Sequence, residues 1–173
     1  MRRRPMRRGA KKTHDYCWVT TVIQQAVVDG GLAEIDLVSS GTWEANANNF
    51  ERATLICIRG WLSTVQHVAA TNSDETFLAM GIVKAGLTET LQFDPRLAAE
   101  YDINDVMWTW GQAMGEGTTN ENPFITHSLP VNIKVKRKLS SADKITLVVA
   151  MSNDTTSVTA QLNGVLRCLV DRA

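Results

Sequence analysis

The stretch VNIKVKRKL, residues 131–139, alternates apolar and polar side chains: Val131, Ile133 and Val135 fall on one side, Asn132, Lys134 and Lys136 on the other. A period of two fits an extended chain with one buried face, because successive side chains of a strand point to opposite faces. The pattern recurs downstream. KITLVVAM places Ile145, Leu147, Val149 and Met151 on one side. SVTAQLNGVLRCLV does the same with Val158, Ala160, Leu162, Leu166, Cys168 and Val170, and Gly164 within it marks a bulge. The turn-rich LSSADK and SNDTTS separate the three, so the C-terminal part reads as a meander of consecutive antiparallel strands.

Earlier segments follow the same logic. CWVTTVIQQAVV stops at Asp29-Gly30-Gly31, and LAEIDLVSS stops at Ser40-Gly41, both turn signals. RATLICIRGWLSTV is apolar on both faces, with Leu55 and Cys57 on one and Ile56 and Ile58 on the other, which suits a central strand. TFLAMGIVKAG and DINDVMWTWGQAM complete a set of eight candidate strands. Helix has room only for short turns at LTETL or DPRLAAEY. The loops TWEANANNFE and GEGTTNENPFITHS are longer than a hairpin needs, and long ordered loops usually have a task. The expected fold is all-β: an eight-stranded antiparallel jelly-roll sandwich.

Charge divides the chain in two. Residues 1–12, MRRRPMRRGAKK, hold Arg2, Arg3, Arg4, Arg7, Arg8, Lys11 and Lys12 and no acid. The whole chain has 18 Lys and Arg and 18 Asp and Glu, so without those seven the remainder carries 11 basic against 18 acidic residues. So dense a run of like charge cannot bury enough apolar surface to offset its ordering entropy. Residues 1–14 are therefore expected to form a disordered basic arm, and residues 15–173 a single domain. Such an arm suits nucleic acid, since neutralising phosphates releases counterions and needs no fixed structure. No continuous apolar region follows, which argues against a signal peptide, and no helical apolar stripe supports a mitochondrial presequence. A solvated tail or a nuclear localisation signal is the plainer alternative.

The remaining composition excludes several classes. No run approaches 18 apolar residues, so no helical membrane span is expected. Cys17, Cys57 and Cys168 are isolated and odd in number; they suit buried free thiols in a reducing compartment better than a disulfide framework. His14, His67 and His127 are equally scattered, and a zinc site would have to be assembled by the fold alone. Asp102, Asn104 and Asp105 offer hard oxygen ligands of the kind Ca²⁺ takes at subunit contacts, though acid-rich turns are commonplace. No nucleophile motif, zinc-protease motif or glycine-rich phosphate loop is present. His14 and Asp15 lie at the edge of the arm, where no preorganised catalytic site is expected. Neither catalysis nor a cofactor is expected.

Three stretches together carry a likeness: ERATLICIRGW with Arg52, Arg59 and Gly60; DINDVMWTW with Asp105, Trp108 and Trp110; and the basic strand that ends KRKL. With the basic arm in front, this layout resembles the single-jelly-roll capsid proteins of small circular single-stranded DNA viruses that encode a replication-initiator protein. The short arm and minimal body are similar to satellite-virus coats. The resemblance implies a protein that assembles with copies of itself, about 60 or a multiple, into an icosahedral shell around single-stranded nucleic acid. It implies residence in the virion, with assembly in the host nucleus or cytoplasm.

Lys134, Lys136 and Lys138 share the polar face of one strand, with Arg137 pointing the other way. They read either as a solvated face guarding a sheet edge or as a basic patch that continues the arm inside a shell. With the seven arm residues they form the expected nucleic-acid-binding set. Arg59, inside an apolar strand, is expected to be buried and to need a carboxylate partner. Trp43, Trp61, Trp108 and Trp110 could stack on bases; core or interface packing is the commoner use, and it is expected for Trp108 and Trp110. The competing functional class is a non-assembling β-sandwich that binds nucleic acid or a ligand and carries a basic tail.

Overall fold

The computed structural model describes residues 13–28, 32–39, 52–67, 76–85, 106–114, 124–140, 143–152 and 159–172. Eight strands run through them: β1 (Tyr16–Val28), β2 (Leu32–Val38), β3 (Arg52–His67), β4 (Thr76–Ala85), β5 (Val106–Met114), β6 (Phe124–Ser140), β7 (Lys144–Ser152) and β8 (Thr159–Asp171). Two four-stranded antiparallel sheets result, in the orders β1-β8-β3-β6 and β2-β7-β4-β5. The order has a simple origin. The strands pair from the ends of the chain inward, β1 with β8, β2 with β7, β3 with β6 and β4 with β5. Rolling this antiparallel ribbon onto itself lays β8 beside β3 and β7 beside β4. That is the jelly roll.

All eight sequence segments expected to be strands are strands, but the connections differ from expectation in three places. The C-terminal meander does not form: β6 and β8 lie in one sheet and β7 in the other, so none of the three pairs with the next. Alternation reveals which face is buried and says nothing of which neighbour supplies the hydrogen bonds. The loop expected over 115–128 ends early, because Phe124–Ser128 already pairs with β3. Gly164 makes no bulge either; it sits in an unbroken ladder between Ile23 and Leu62. A Cβ there would run into the backbone of Trp61 and Leu62, so glycine is needed for close approach of the strands.

The bulge is in β3 instead. Pairing with β8 shifts by one residue between Leu55 and Cys57, leaving Ile56 as the extra residue. Ala53 and Leu55 face the core before it, and Ile58, Leu62 and Thr64 face the core after it. The sequence-based faces of this strand are corrected accordingly: Leu55 and Ile58, expected on opposite sides, are both inside. The central position expected for the strand holds, with β8 and β6 as its neighbours.

The core fills the space between the sheets. Leu55, Ile58 and Leu62 of β3 and Leu162 and Leu166 of β8 meet Leu78, Met80 and Ile82 of β4 and Leu147 and Val149 of β7, all nearly or fully excluded from solvent. Each such side chain contributes roughly 1.5–3 kcal/mol through burial. Trp108 and Trp110 of β5 pack against the same core and are not offered to solvent as a pair. The other face of the second sheet carries a smaller cluster of Ala79, Val83 and Val148.

Gly60 has φ of +151°, and a Cβ there would collide with the Val165 carbonyl of β8. Gly60→Ala is expected to lower stability by about 2–4 kcal/mol, read as a fall in the urea midpoint. Cys57, Cys168 and Cys17 are free thiols, the first two buried. Burial, and next the nearby Cys57, push the Cys168 thiol up to about 12. At pH 8 a disulfide reagent should modify Cys17 alone in the folded, unassembled protein and all three thiols after unfolding. Rapid modification of Cys168 in the folded state would contradict the packing described.

Candidate nucleic-acid interface

Residues opposite one another on adjacent strands share a face, so the ladders of the first sheet define rows across its outward surface. From the start of β1 they run Tyr16–Asp171–Thr54–Lys138, then Trp18–Leu169–Cys57–Lys134, then Thr20–Arg167–Arg59–Asn132, then Val22–Val165–Trp61–Pro130. Lys134, Lys136 and Lys138 stand out from this face, alternating with the inward Val135, Arg137 and Leu139 as the sequence pattern requires. Arg59 and Arg167 are exposed on the same face.

Arg59 therefore corrects an expectation. It is not buried, and no described carboxylate pairs with it. The bulge at Ile56 is the cause: it shifts the alternation by one position and turns Arg59 outward, while Ile58 goes in. Arg167 occupies the outward position between the inward Leu166 and Cys168.

Among the described residues, Asp171 is the one carboxylate on this face, and it is engaged elsewhere. It is almost fully buried. The His14 ring nitrogen Nδ1 lies 2.7 Å from its Oδ2, and the Asp15 backbone N–H donates to its Oδ1 at 3.3 Å. The Arg172 guanidinium reaches both Asp15 carboxylate oxygens, at 3.0 and 2.8 Å. The Arg172 backbone N–H also donates to the Asp15 carbonyl at 2.8 Å, extending the β1–β8 ladder by one rung. His14 stacks on Tyr16 with ring centroids 5.5 Å apart. The segment leading out of residues 1–12 is thus pinned to the end of β8, in the row that also holds Lys138. Three strand spacings, about 14 Å, separate the two edges of the sheet.

Aromatic side chains lie among these cations. Tyr16, Trp18 and Trp61 are 56, 41 and 49% exposed on the outward face. The Arg167 guanidinium sits over the Trp18 ring, 4.9 Å from its centroid. Sequence reasoning passed over Trp18 and Arg167; Arg167 follows from alternation, since it lies between Leu166 and Cys168 in a strand whose inward set was already read, whereas no inward set was read for the strand that holds Trp18. Trp61 was considered, and the structure places it in the open.

The two outward faces differ in charge. On the second sheet the exposed positions include Glu34 and Asp36 of β2, with Lys144 of β7 3.6 Å from Asp36. The β6 lysines lie on an edge strand, where lysine also discourages edge-to-edge pairing. Edge protection cannot account for Arg59 and Arg167, which lie on the two central strands.

The arm residues Arg2, Arg3, Arg4, Arg7, Arg8, Lys11 and Lys12 fall outside the described residues, as do Trp43, the acid-rich turn with Asp102, Asn104 and Asp105, and the short helical turns. Among the described residues, no cluster of three His, Cys, Asp or Glu side chains is placed to hold a metal, and no helix is long and apolar enough to cross a membrane.

No family model and no curated protein matches the chain. Solved structures similar to it include the decameric BFDV capsid protein, at 10% identity and TM-score 0.42 over 93% of this chain and 100% of that one. Turnip yellow mosaic virus is similar at 13% identity and TM-score 0.41, covering 96% of this chain and 86% of that one. Desmodium yellow mottle tymovirus is similar at 12% and 0.39, covering 96% and 87%. At these values the fold assignment rests on the strand order itself.

Asp171 accepts hydrogen bonds while buried, so its loss leaves donors unpaired at the arm's root. Asp171→Ala is expected to cost about 1–3 kcal/mol in urea unfolding. It should also speed trypsin cleavage at Lys12 in the folded protein, whereas Asp36→Ala, on the exposed face of the other sheet, should do neither.

Proposed function

We propose that this chain is a viral capsid protein that self-assembles into a small icosahedral shell and packages single-stranded nucleic acid. Residues 1–14 act as the packaging arm and residues 15–173 as the shell domain. The observation that carries the reading is the sorting of charge on a jelly roll. Arg59, Arg167, Lys134, Lys136 and Lys138 are gathered on one sheet, and the chain enters that same sheet from its seven-charge N-terminal segment. A shell domain needs one face for the cargo and others for its neighbours, and this arrangement of charge supports the first sheet as the cargo side. The resemblance read from the sequence supports the same conclusion. Virion residence, and assembly in the host nucleus or cytoplasm, follow from it.

Capacity follows from charge. In the simplest icosahedral shell of about 60 subunits, the arms neutralise on the order of four hundred phosphates, and the β6 lysines add fewer than half as many again. Duplex with a persistence length of about 50 nm bends poorly in so small a cavity, which favours a single strand. The cargo of such a shell is then at most roughly 1–2 kilobases.

The test is to purify the full-length protein, image it by negative stain and extract its nucleic acid. Closed shells holding nuclease-protected single-stranded cargo are expected. Replacing the seven arm cations with serine should leave the circular dichroism spectrum unchanged and abolish or randomise packaging. Monomers or dimers at every salt concentration would favour the non-assembling binding protein instead. Unchanged cargo in the arm variant would remove the arm from the mechanism.

A further inference from the structure

Arg59 lies directly across from Arg167 on the neighbouring strand, with both side chains exposed. Like charges placed opposite one another destabilise a sheet. The rest of their row, Thr20 and Asn132, carries no compensating charge. Both arginines lie on interior strands, where neither is needed to blunt an edge. An anion over the row would relieve the repulsion.

The rows on either side supply the second half of the argument. Trp18 lies one row toward the start of β1 and Trp61 one row the other way, both substantially exposed. A large apolar ring left in water on an open sheet face, beside cations that no described carboxylate pairs with, fits a ligand that has both a flat apolar surface and negative charge. The two tryptophans stand four residues apart along the strands and two strands apart across the sheet, about 17 Å in all. The arginine row lies between them. One ring is already capped by the Arg167 guanidinium, leaving its other side for a partner, while Trp61 has no such cap among the described contacts.

We propose that this face is a stacking platform for single-stranded nucleic acid, with bases on Trp61 and Trp18 and the intervening phosphates over Arg59 and Arg167. Base–aromatic stacking tolerates any sequence but requires unpaired bases. A duplex offers the phosphates and withholds the ring faces. The proposal rests on the packaging function above and adds to it a site in the folded domain, separate from the arm.

The experiment uses full-length protein in dilute, unassembled form, with dT20, U20 and a 20-base-pair duplex as probes. Binding is read by anisotropy and contact by tryptophan fluorescence. Both single strands should quench fluorescence, and the duplex should bind with little quenching. Trp61→Leu and Trp18→Leu should each weaken single-strand binding roughly tenfold and remove part of the quench, with Trp61→Phe largely restoring affinity. Arg59→Ser with Arg167→Ser should lower the slope of log affinity against log salt by about one to two. Quenching should persist, at lower affinity, when the seven arm cations are serine. Single strands that bind without quenching, with affinity indifferent to the tryptophans, would overturn the platform and leave the arm-driven packaging reading intact. Loss of all binding in the arm variant would do the same, as would equal quenching by duplex. No binding of any probe by the unmodified protein would overturn both.

Discussion

The surface chemistry of this domain depends on one extra residue in β3. Ala53 and Leu55 point into the sandwich from odd positions, and Ile58, Leu62 and Thr64 point in from even ones; Ile56 absorbs the change at the bulge. Without it, strict alternation would carry Arg59 and Trp61 into the core along with Leu55. An unpaired guanidinium in that apolar layer costs several kcal/mol even after relaxation. The bulge lets one strand contribute core residues at both of its ends and still send Arg59 and Trp61 outward. Bulges that re-aim a side chain are commonly found beside functional surfaces.

Two glycines make that strand compatible with its neighbour. Gly60 adopts a backbone conformation that side chains rarely tolerate, and it and Gly164 stand where β3 and β8 approach too closely for a Cβ. They lie on either side of the Trp61–Val165 pair. The inward space that glycine leaves vacant in one strand is taken by Leu62 and Leu166 from the other. The local geometry that exposes Trp61 is thus built from the same contacts that close the core beneath it. A change at these glycines would disturb core and surface together.

Most of the architecture was legible because burial writes period two into every strand. The segments around Val131–Leu139, Ile145–Met151 and Ala160–Val170 announced their inward faces correctly, whereas the faces read for Arg52–Val65 failed at the bulge. The pairing was not legible. Tyr16 meets Asp171 and Arg52 meets Ser140 across most of the chain, and no local signal distinguishes such partners from a sequential hairpin. The site was legible only in part for a related reason. Lys134, Lys136 and Lys138 lie in one regular strand, whereas Arg59 depends on a bulge hidden inside four consecutive apolar residues, Leu55 to Ile58. A change of parity between Leu55 and Leu62 was the available signal.

Arm and face offer chemically different handles on a nucleic acid. Residues 1–12 carry charge and no aromatic ring, so their attraction is set by counterion release and is blind to whether the phosphates belong to one strand or two. Duplex, with its denser phosphates, is if anything the better partner for charge alone. A preference for single strands at the binding step, as distinct from the stiffness that keeps duplex out of a small closed shell, would have to come from groups that recognise exposed bases, and on the described surface those are Trp18, Trp61 and Tyr16. Tyr16 and Trp18 lie next to the described start of the chain at residues 13–15, so under the proposed function a strand held by residues 1–12 would reach the rings without crossing to another face. In the division proposed, the arm would supply affinity and the sheet the choice of cargo.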